Sequence, residues 1–157
     1  MCRTFRRKPD DHSDVPFESV YADLNGPINV SDCDFKYVFE IIDDYSSYIA
    51  IYLMQSKSDT PQVLKQYIAD HAPFGTTKKL RSDRGTEFTS NIFQQILLDR
   101  GIKFETSSPY SQFQNGRIER SWQTLFDIVR CLLVDSNAPR KLYPYVLKYA
   151  AYNVNRK

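Results

Sequence analysis

The chain has 157 residues, of which 41% are hydrophobic and 14% aromatic. This composition excludes an intrinsically disordered protein, and the length predicts one domain that buries its core without disulfide or metal staples. The formal net charge of +2 does not by itself indicate nucleic-acid binding. Such a function would depend on local clusters of basic residues.

The cysteines and histidines indicate neither a disulfide framework nor a zinc site. Cys2, Cys33 and Cys131 are odd in number and widely separated, and His12 and His71 lack partners at metal-ligand spacing. No apolar run approaches the length of a membrane span, and the N-terminal residues lack the apolar segment of a signal peptide. We therefore expect an intracellular protein with no membrane partner.

Hydrophobic periodicity predicts five strands and four helices. Strands are expected first at 17–24, 35–42 and 47–54, with a hairpin turn at 43–46. Helices then alternate with strands: a helix at 60–71, a strand at 78–82, a helix at 90–100, a strand at 102–106, a polar loop at 107–115, a long helix from near Gly116 to about 136 and a final helix at 142–154. This order predicts an α/β fold with a mixed sheet and helices on its faces.

Three carboxylates lie at the predicted ends of these elements. Asp23 closes the first strand before N-G-P, Asp83 follows the fourth strand within R-S-D-R-G-T-E-F, and Glu119 opens the long helix within Q-N-G-R-I-E-R-S-W. Taken singly, Asp23 is better explained as a turn residue, and Asp83 and Glu119 could likewise be a turn residue and a solvated helix charge. Facing one cleft, they would form an all-oxygen site for Mg²⁺ or Mn²⁺ rather than zinc.

The order Asp, Asp, 35 intervening residues, Glu, in these sequence contexts, resembles the integrase catalytic core of retroviruses and LTR retrotransposons. The resemblance extends from about residue 15 to 157 and implies a ribonuclease-H-like fold with a five-stranded mixed sheet flanked by helices. Residues 1–14 are expected to form a basic and acidic tail, in which Cys2 is either a remnant of an upstream zinc module or an ordinary thiol. We expect the core to be shortened at its C-terminus, as in a polyprotein fragment or a retroelement relic.

The resemblance also implies a reaction and its ligands. Asp23, Asp83 and Glu119 would be both catalytic and metal-binding, with Asp23 bridging two Mg²⁺ or Mn²⁺ ions about 4 Å apart. The reaction would be 3′-end processing followed by strand transfer, through attack on DNA phosphodiesters without a covalent enzyme intermediate or a small-molecule cofactor. The expected partners are element-end and target DNA and at least one further copy of the chain, acting in the nucleus.

DNA contacts are expected around this site and at its basic rim. The residues implicated by the resemblance or by charge are Gln114, Asn115, Gly116, Arg117, Arg120 and Arg84. Arg81 and Lys103 would extend the rim, and the cluster between Arg3 and Lys8 would add non-specific affinity. For any one of these residues, an ordinary solvated surface position explains the sequence about as well as a DNA contact.

Other conspicuous residues have simpler interpretations. Asp43 and Asp44 are predicted to serve the hairpin turn, and Glu87 to make local hydrogen bonds. Trp122, at helical spacing with apolar neighbours, is predicted to be a core residue rather than a platform for base stacking. Gypsy-like and copia-like features occur together, so the lineage stays open.

Two other functions remain open. One is a non-catalytic integrase-derived module that dimerises and binds DNA. The other is a ribonuclease H, although its carboxylates usually follow a different order and spacing.

Overall fold

The computed structural model describes residues 12–28, 33–83, 85–106 and 112–156, with the backbone alone at 112–115. Five strands form one sheet: β1 Ser19–Asn25, β2 Tyr37–Asp43, β3 Ile49–Met54, β4 Lys79–Ser82 and β5 Lys103–Thr106. Their order across the sheet is β3-β2-β1-β4-β5. The first three strands pair antiparallel, whereas β4 and β5 continue from β1 in parallel. The predicted mixed sheet is therefore confirmed.

Four helices cover the sheet: α1 Thr60–His71, α2 Asn91–Asp99, α3 Gln112–Ser136 and α4 Tyr143–Val154. Pro lies in the first turn of α1 and of α4, where its missing N–H is tolerated. The side chain of Ser90 caps α2 by accepting a hydrogen bond from the backbone N–H of Phe93. None of the helices in the described ranges is long and apolar enough to cross a membrane.

Alternation along the strands divides the core between the two faces of the sheet. In β1, Val20 and Ala22 point toward a cluster that includes side chains of α1 and α2, whereas Tyr21 points toward a cluster with α3 and α4. Leu125 of α3 and Leu147 of α4 are fully buried in this second cluster. The sheet therefore has helices on both faces, and Asp23, two residues after Tyr21, faces α3.

The start of the long helix differs from the sequence prediction. Helix α3 begins at Gln112, four residues before Gly116, so part of the predicted polar loop is helical. Glycine inside a helix costs only about 1 kcal/mol, and the packing of α3 on the sheet outweighs that local preference. Residues 107–111 of the predicted loop lie outside the described residues.

The prediction that Asp43 and Asp44 serve the hairpin turn is confirmed for Asp43. Its carboxylate accepts hydrogen bonds from the backbone N–H and the hydroxyl of Ser46, at 2.9 and 2.6 Å. Its other oxygen accepts from the backbone N–H of Phe17 at 2.8 Å. Both aspartates are 1% exposed. Asp43 therefore joins the turn to the segment before β1, while Asp44 has a different role, described below.

Candidate active site

Strand register places two of the predicted carboxylates side by side. Tyr21 of β1 pairs with Arg81 of β4 in parallel, and Asp23 and Asp83 each lie two residues beyond that pair. Adjacent strands are about 4.8 Å apart and side chains alternate, so the two carboxylates share one face at the carboxyl ends of these strands. Ligand sites in open α/β sheets commonly occupy this edge.

Asp23 is held in a largely desolvated position. The indole N–H of Trp122 on α3 donates to its Oδ2 at 2.7 Å. Burial raises the pKa of the Asp23 carboxyl, the hydrogen bonds from Trp122 and from the backbone N–H of Leu24 oppose that rise, and the charges of Asp83 and Glu87 add to it. An ionised Asp23 is therefore costly in the folded chain, and a bound cation would relieve that cost.

Glu40 is a buried carboxyl that was not predicted as part of the site. It is the cross-strand partner of Asp23 on β2 and is 0% exposed. Its Oε1 accepts from the hydroxyl of Ser121 at 2.5 Å, while its Oε2 has no hydrogen-bond partner among the described residues. Burial raises the pKa of Glu40 to about 8, with the Ser121 bond opposing the rise and the charge of Asp23 adding to it.

The sequence contains a signal for this buried position. Glu40 alternates with Val38 and Ile42, which are both buried against α3 and α4. A lone glutamate on the apolar face of a predicted strand indicates burial. Its hydrogen-bond partner, 81 residues further along the chain, is not readable from that pattern.

The loop after β4 holds Asp83 beside a second acidic side chain. Asp83 is exposed, and its Oδ1 accepts a hydrogen bond from the backbone N–H of Gly85 at 2.9 Å. A Cβ on Gly85 would lie 2.8 Å from Glu87 and 3.1 Å from Asp83, so glycine permits this close approach. Glu87 accepts from the Thr86 hydroxyl and pairs with Lys57 at 3.6 Å. Its predicted local hydrogen bonding is confirmed.

The side chain of Glu119 does not join those of Asp23, Asp83 and Glu87 in one acidic cluster. It lies two turns into α3 rather than in its first turn, because the helix begins earlier than predicted, and its side chain is exposed. Within the described part of the chain, no group of three His, Cys, Asp or Glu side chains is arranged to hold a metal ion. Asp23 and Asp83 supply the oxygen donors that a hard divalent cation prefers, and the metal-binding roles of Asp23, Asp83 and Glu119 stay predictions.

Trp122 is buried, as predicted for a core residue, at 6% exposure. Its ring stacks on Phe126 with centroids 5.3 Å apart and an interplanar angle of 22°. The indole nitrogen nevertheless faces the acidic edge through its bond to Asp23. The core interpretation is confirmed, and the sequence pattern did not reveal this second contact.

Arg117, predicted to contact DNA, makes a buried ion pair within the chain. Its Nη1 lies 2.5 Å from Oδ1 of Asp44, whose side chain is 0% exposed, and its Nη2 donates to the Ser47 hydroxyl at 2.7 Å. The guanidinium also lies over the Tyr21 ring, 5.8 Å from its centroid. Asp44 further accepts from the backbone N–H of Ser13. The DNA contact of Arg117 stays a prediction, beside this structural one.

We predict that Arg117→Met lowers the free energy of unfolding by about 3 kcal/mol, because it removes the guanidinium from the buried Asp44 carboxylate, which also contacts His12 and the backbone N–H of Ser13. Urea unfolding at pH 7 measures the change. The matched control Arg120→Met removes an exposed arginine of the same helix and should change stability by less than about 0.5 kcal/mol. Adding Asp44→Asn to Arg117→Met should restore part of the loss, and equal losses in both single arginine variants would contradict the buried pair.

Two residues of the predicted basic rim are placed elsewhere. Arg81 is only 4% exposed, because its guanidinium pairs with Glu105 at 3.0 Å and donates to the Tyr21 hydroxyl at 3.0 Å. Lys103 begins β5 beside Lys79, at the opposite end of the parallel strands from Asp23. The prediction that these two extend a rim around the site is wrong.

The other predicted DNA contacts are only partly described. Arg120 is exposed on α3, and Gly116 lies inside that helix, where an added Cβ would be 3.3 Å from the Arg120 guanidinium. Arg84, the side chains of Gln114 and Asn115, and the basic cluster between Arg3 and Lys8 lie outside the described residues. Their contacts with DNA stay predictions.

The fold and the acidic strand ends define a class of protein: a ribonuclease-H-like α/β domain with carboxylates at the edge of its central strands. Solved structures support the fold. The magnesium-bound catalytic core of HTLV-2 integrase, in its trimeric form, matches with a TM-score of 0.69 and 15% identity over 90% of this chain and 87% of that one. A simian T-cell lymphotropic virus intasome structure matches with a TM-score of 0.74 and 18% identity over 91% of this chain and 50% of that one.

Sequence comparison narrows the class to one family. The model of the integrase core domain matches residues 15–112, and the chain belongs to that family. It is 30% identical over 140 residues to the retrovirus-related Pol polyprotein of tobacco transposon TNT 1-94, covering 87% of this chain and 10% of that protein. It is 29% identical over 132 residues to the Pro-Pol polyprotein of feline foamy virus, covering 84% and 11%. The chain thus spans about a tenth of these relatives.

Proposed function

We propose that this chain is the catalytic core of a retroelement integrase, which joins DNA ends to target DNA by phosphodiester transesterification. The observation that carries the proposal is the register that sets Asp23 beside Asp83 at the carboxyl ends of β1 and β4. Family membership supports the same reaction class. Glu119, three residues before Trp122 on the helix that covers this edge, is the third acidic residue of the proposed site.

The cofactor proposed is Mg²⁺ or Mn²⁺, in two ions, held by Asp23, Asp83 and Glu119. When bound, the cations would activate the attacking oxygen and stabilise the leaving one. The structural neighbour from HTLV-2 was solved with magnesium. In this chain, Asp23 supplies a desolvated carboxylate whose orientation is set by hydrogen bonds, and Asp83 supplies an exposed one that DNA can reach.

We propose that element-end and target DNA approach across the N-terminal part of α3. Arg120 is exposed there. The family resemblance adds Asn115 and Gly116, and position and polarity add Gln114, Arg117 and Arg84. A helix surface beside an acidic site needs such cations, because DNA phosphates would otherwise be repelled by the carboxylates. The proposed place of action is the nucleus, where chromosomal target DNA is found.

A homo-oligomer is proposed as the working form. Neighbours include dimeric and trimeric integrase cores. In this chain, Tyr145, Tyr149 and Tyr152 of α4 are each more than half exposed. Their spacing of four and three residues puts them along one helix face. A second copy of the chain would cover this aromatic stripe.

The domain organisation proposed is a catalytic core at residues 15–157 and a tail at residues 1–14.

The test is rejoining of a branched DNA that mimics the product of strand transfer, with purified protein in Mg²⁺ or Mn²⁺. This reverse reaction needs the core site and not two aligned DNA ends. We expect rejoining by the wild-type chain and its loss in both Asp83→Asn and Glu119→Gln. Rejoining that persists in Asp83→Asn would overturn the assigned site.

A second function has one observation in its favour. Glu119 is exposed, and no three-residue metal cluster occurs in the described ranges. A non-catalytic module that dimerises and binds DNA requires no such cluster. Folded protein that binds the branched DNA but does not rejoin it would establish this second function and exclude the first. Cleavage of the RNA strand of a hybrid would instead indicate a ribonuclease H.

A further inference from the structure

Two consecutive residues of α3 bind a cross-strand pair of carboxyl groups. Trp122 donates its indole N–H to Asp23 at 2.7 Å, and Ser121 donates its hydroxyl to Glu40 at 2.5 Å. Asp23 and Glu40 face each other directly on β1 and β2. One turn of α3 is therefore held in register against the acidic end of the sheet by two polar contacts, in addition to apolar packing.

We propose that Trp122 is a positioning residue for the Asp23 carboxylate. Through its N–H, the indole holds Asp23 in the orientation in which the free oxygen lone pairs face the cation site. The inference rests on the proposed function, because it assigns Trp122 a role toward the cation that Asp23 would bind. It goes beyond the core-packing role that the sequence indicates for this tryptophan.

The first argument concerns the number of acceptor positions. A carboxylate has about four lone-pair positions. The indole N–H of Trp122 takes one of them, and the others remain available to a cation. Because Asp23 is largely desolvated, water cannot replace the indole donor without cost. Loss of the N–H would leave the carboxylate free to rotate or poorly paired.

The second argument concerns the rigidity of the donor. The indole is 6% exposed and stacks on Phe126. The adjacent Ser121–Glu40 bond fixes the same helical turn. Because the indole can hardly move, its hydrogen bond fixes the orientation of the Asp23 carboxylate. Hydrogen bonds to metal-ligating side chains fix their orientation in the same way in metal sites generally.

The experiment uses variants that separate the N–H from the ring. Trp122 is the only tryptophan of the chain, so biosynthetic replacement of tryptophan by benzothienylalanine changes this position alone and substitutes sulfur for the N–H at nearly constant shape. Trp122→Phe removes the N–H genetically. The matched control Phe126→Leu weakens the stacking partner and leaves the N–H in place. Mn²⁺ affinity of each protein is measured by electron paramagnetic resonance of free Mn²⁺, without DNA.

We expect both proteins that lack the N–H to bind Mn²⁺ about tenfold more weakly than wild type or worse. Phe126→Leu should bind within about twofold, even if its melting temperature falls further. Wild-type affinity in the benzothienylalanine protein would overturn the positioning role and leave the proposed function intact. Equal weakening in Phe126→Leu would also overturn it, by showing that general packing is responsible. Absence of Mn²⁺ binding in the wild type would overturn both proposals.

A spectroscopic readout is independent of the variants' stability. The single indole N–H gives one cross-peak in a proton–nitrogen correlation spectrum. Asp23→Ala should move this peak toward the position of an indole without a carboxylate partner, and saturating Mg²⁺ should shift it in the wild type. An indole peak unchanged by Asp23→Ala would show that the hydrogen bond is absent in solution and would overturn the inference.

Discussion

Asp23→Asn is expected to lower rejoining of branched DNA by about three orders of magnitude and, at the same time, to raise the free energy of unfolding at pH 7. The activity loss follows because an amide is a poor ligand for hard cations, and several kcal/mol of charge stabilisation disappear from the transition state. The stability gain follows from burial. Burial raises the pKa of the Asp23 carboxyl, so its ionised form at pH 7 opposes folding.

Asparagine is the informative replacement because its side-chain oxygen can still accept the indole N–H of Trp122. It removes the charge that Asp83 and Glu87 repel, while keeping the size of the side chain. Asp127→Asn, at a position 60% exposed on α3, is the control and should change neither property appreciably. Urea unfolding in metal-free buffer and the rejoining assay give the two readouts. A destabilised Asp23→Asn protein would contradict the desolvation argument, whatever its activity.

Glu40 is expected to make the metal-free protein less stable as the pH rises. The pKa of Glu40 is about 8 when the chain is folded and near the ordinary glutamate value of 4.5 when it is unfolded, so the folded state binds more protons between these values. The free energy of unfolding that the protonated Glu40 side chain contributes, relative to the ionised one, is fully present below about pH 4.5. It is lost progressively up to about pH 8, and no further loss follows above that pH. The loss is on the order of 4 kcal/mol over this window.

Glu40→Gln should remove this slope, because glutamine is neutral at every pH and its oxygen can still accept from Ser121. The measurement is the free energy of unfolding by urea at several pH values between 4.5 and 8.5, with a chelator present. At pH 8 the variant should be the more stable protein, and near pH 4.5 the two should be similar. Asp127→Asn should keep the wild-type slope. Identical slopes in wild type and Glu40→Gln would contradict a buried carboxyl whose ionised form opposes folding.

Many of the strands and helices can be predicted from the local sequence. The hairpin turn at Asp43, the apolar periodicity of α1 and α4 and the alternation in β1 each follow from neighbouring residues, and the structure confirms the elements predicted from them. The boundary at Gly116 was predicted wrongly because its composition favours a loop, whereas the actual helix start depends on packing against the sheet.

The family and the order of the strands along the chain can be read from the sequence, because motif spacing and hydrophobic periodicity are local properties. The proximity of Asp23 to Asp83 depends on the parallel register of β1 and β4. Which polar groups contact each other depends on the tertiary structure. Arg81 is buried against Glu105. Arg117 pairs with Asp44, 73 residues earlier in the chain, and Trp122 donates to Asp23, 99 residues earlier. Periodicity shows which face of an element is apolar. The residue opposite a given side chain, however, is set by the register between elements distant in sequence, which local patterns do not encode.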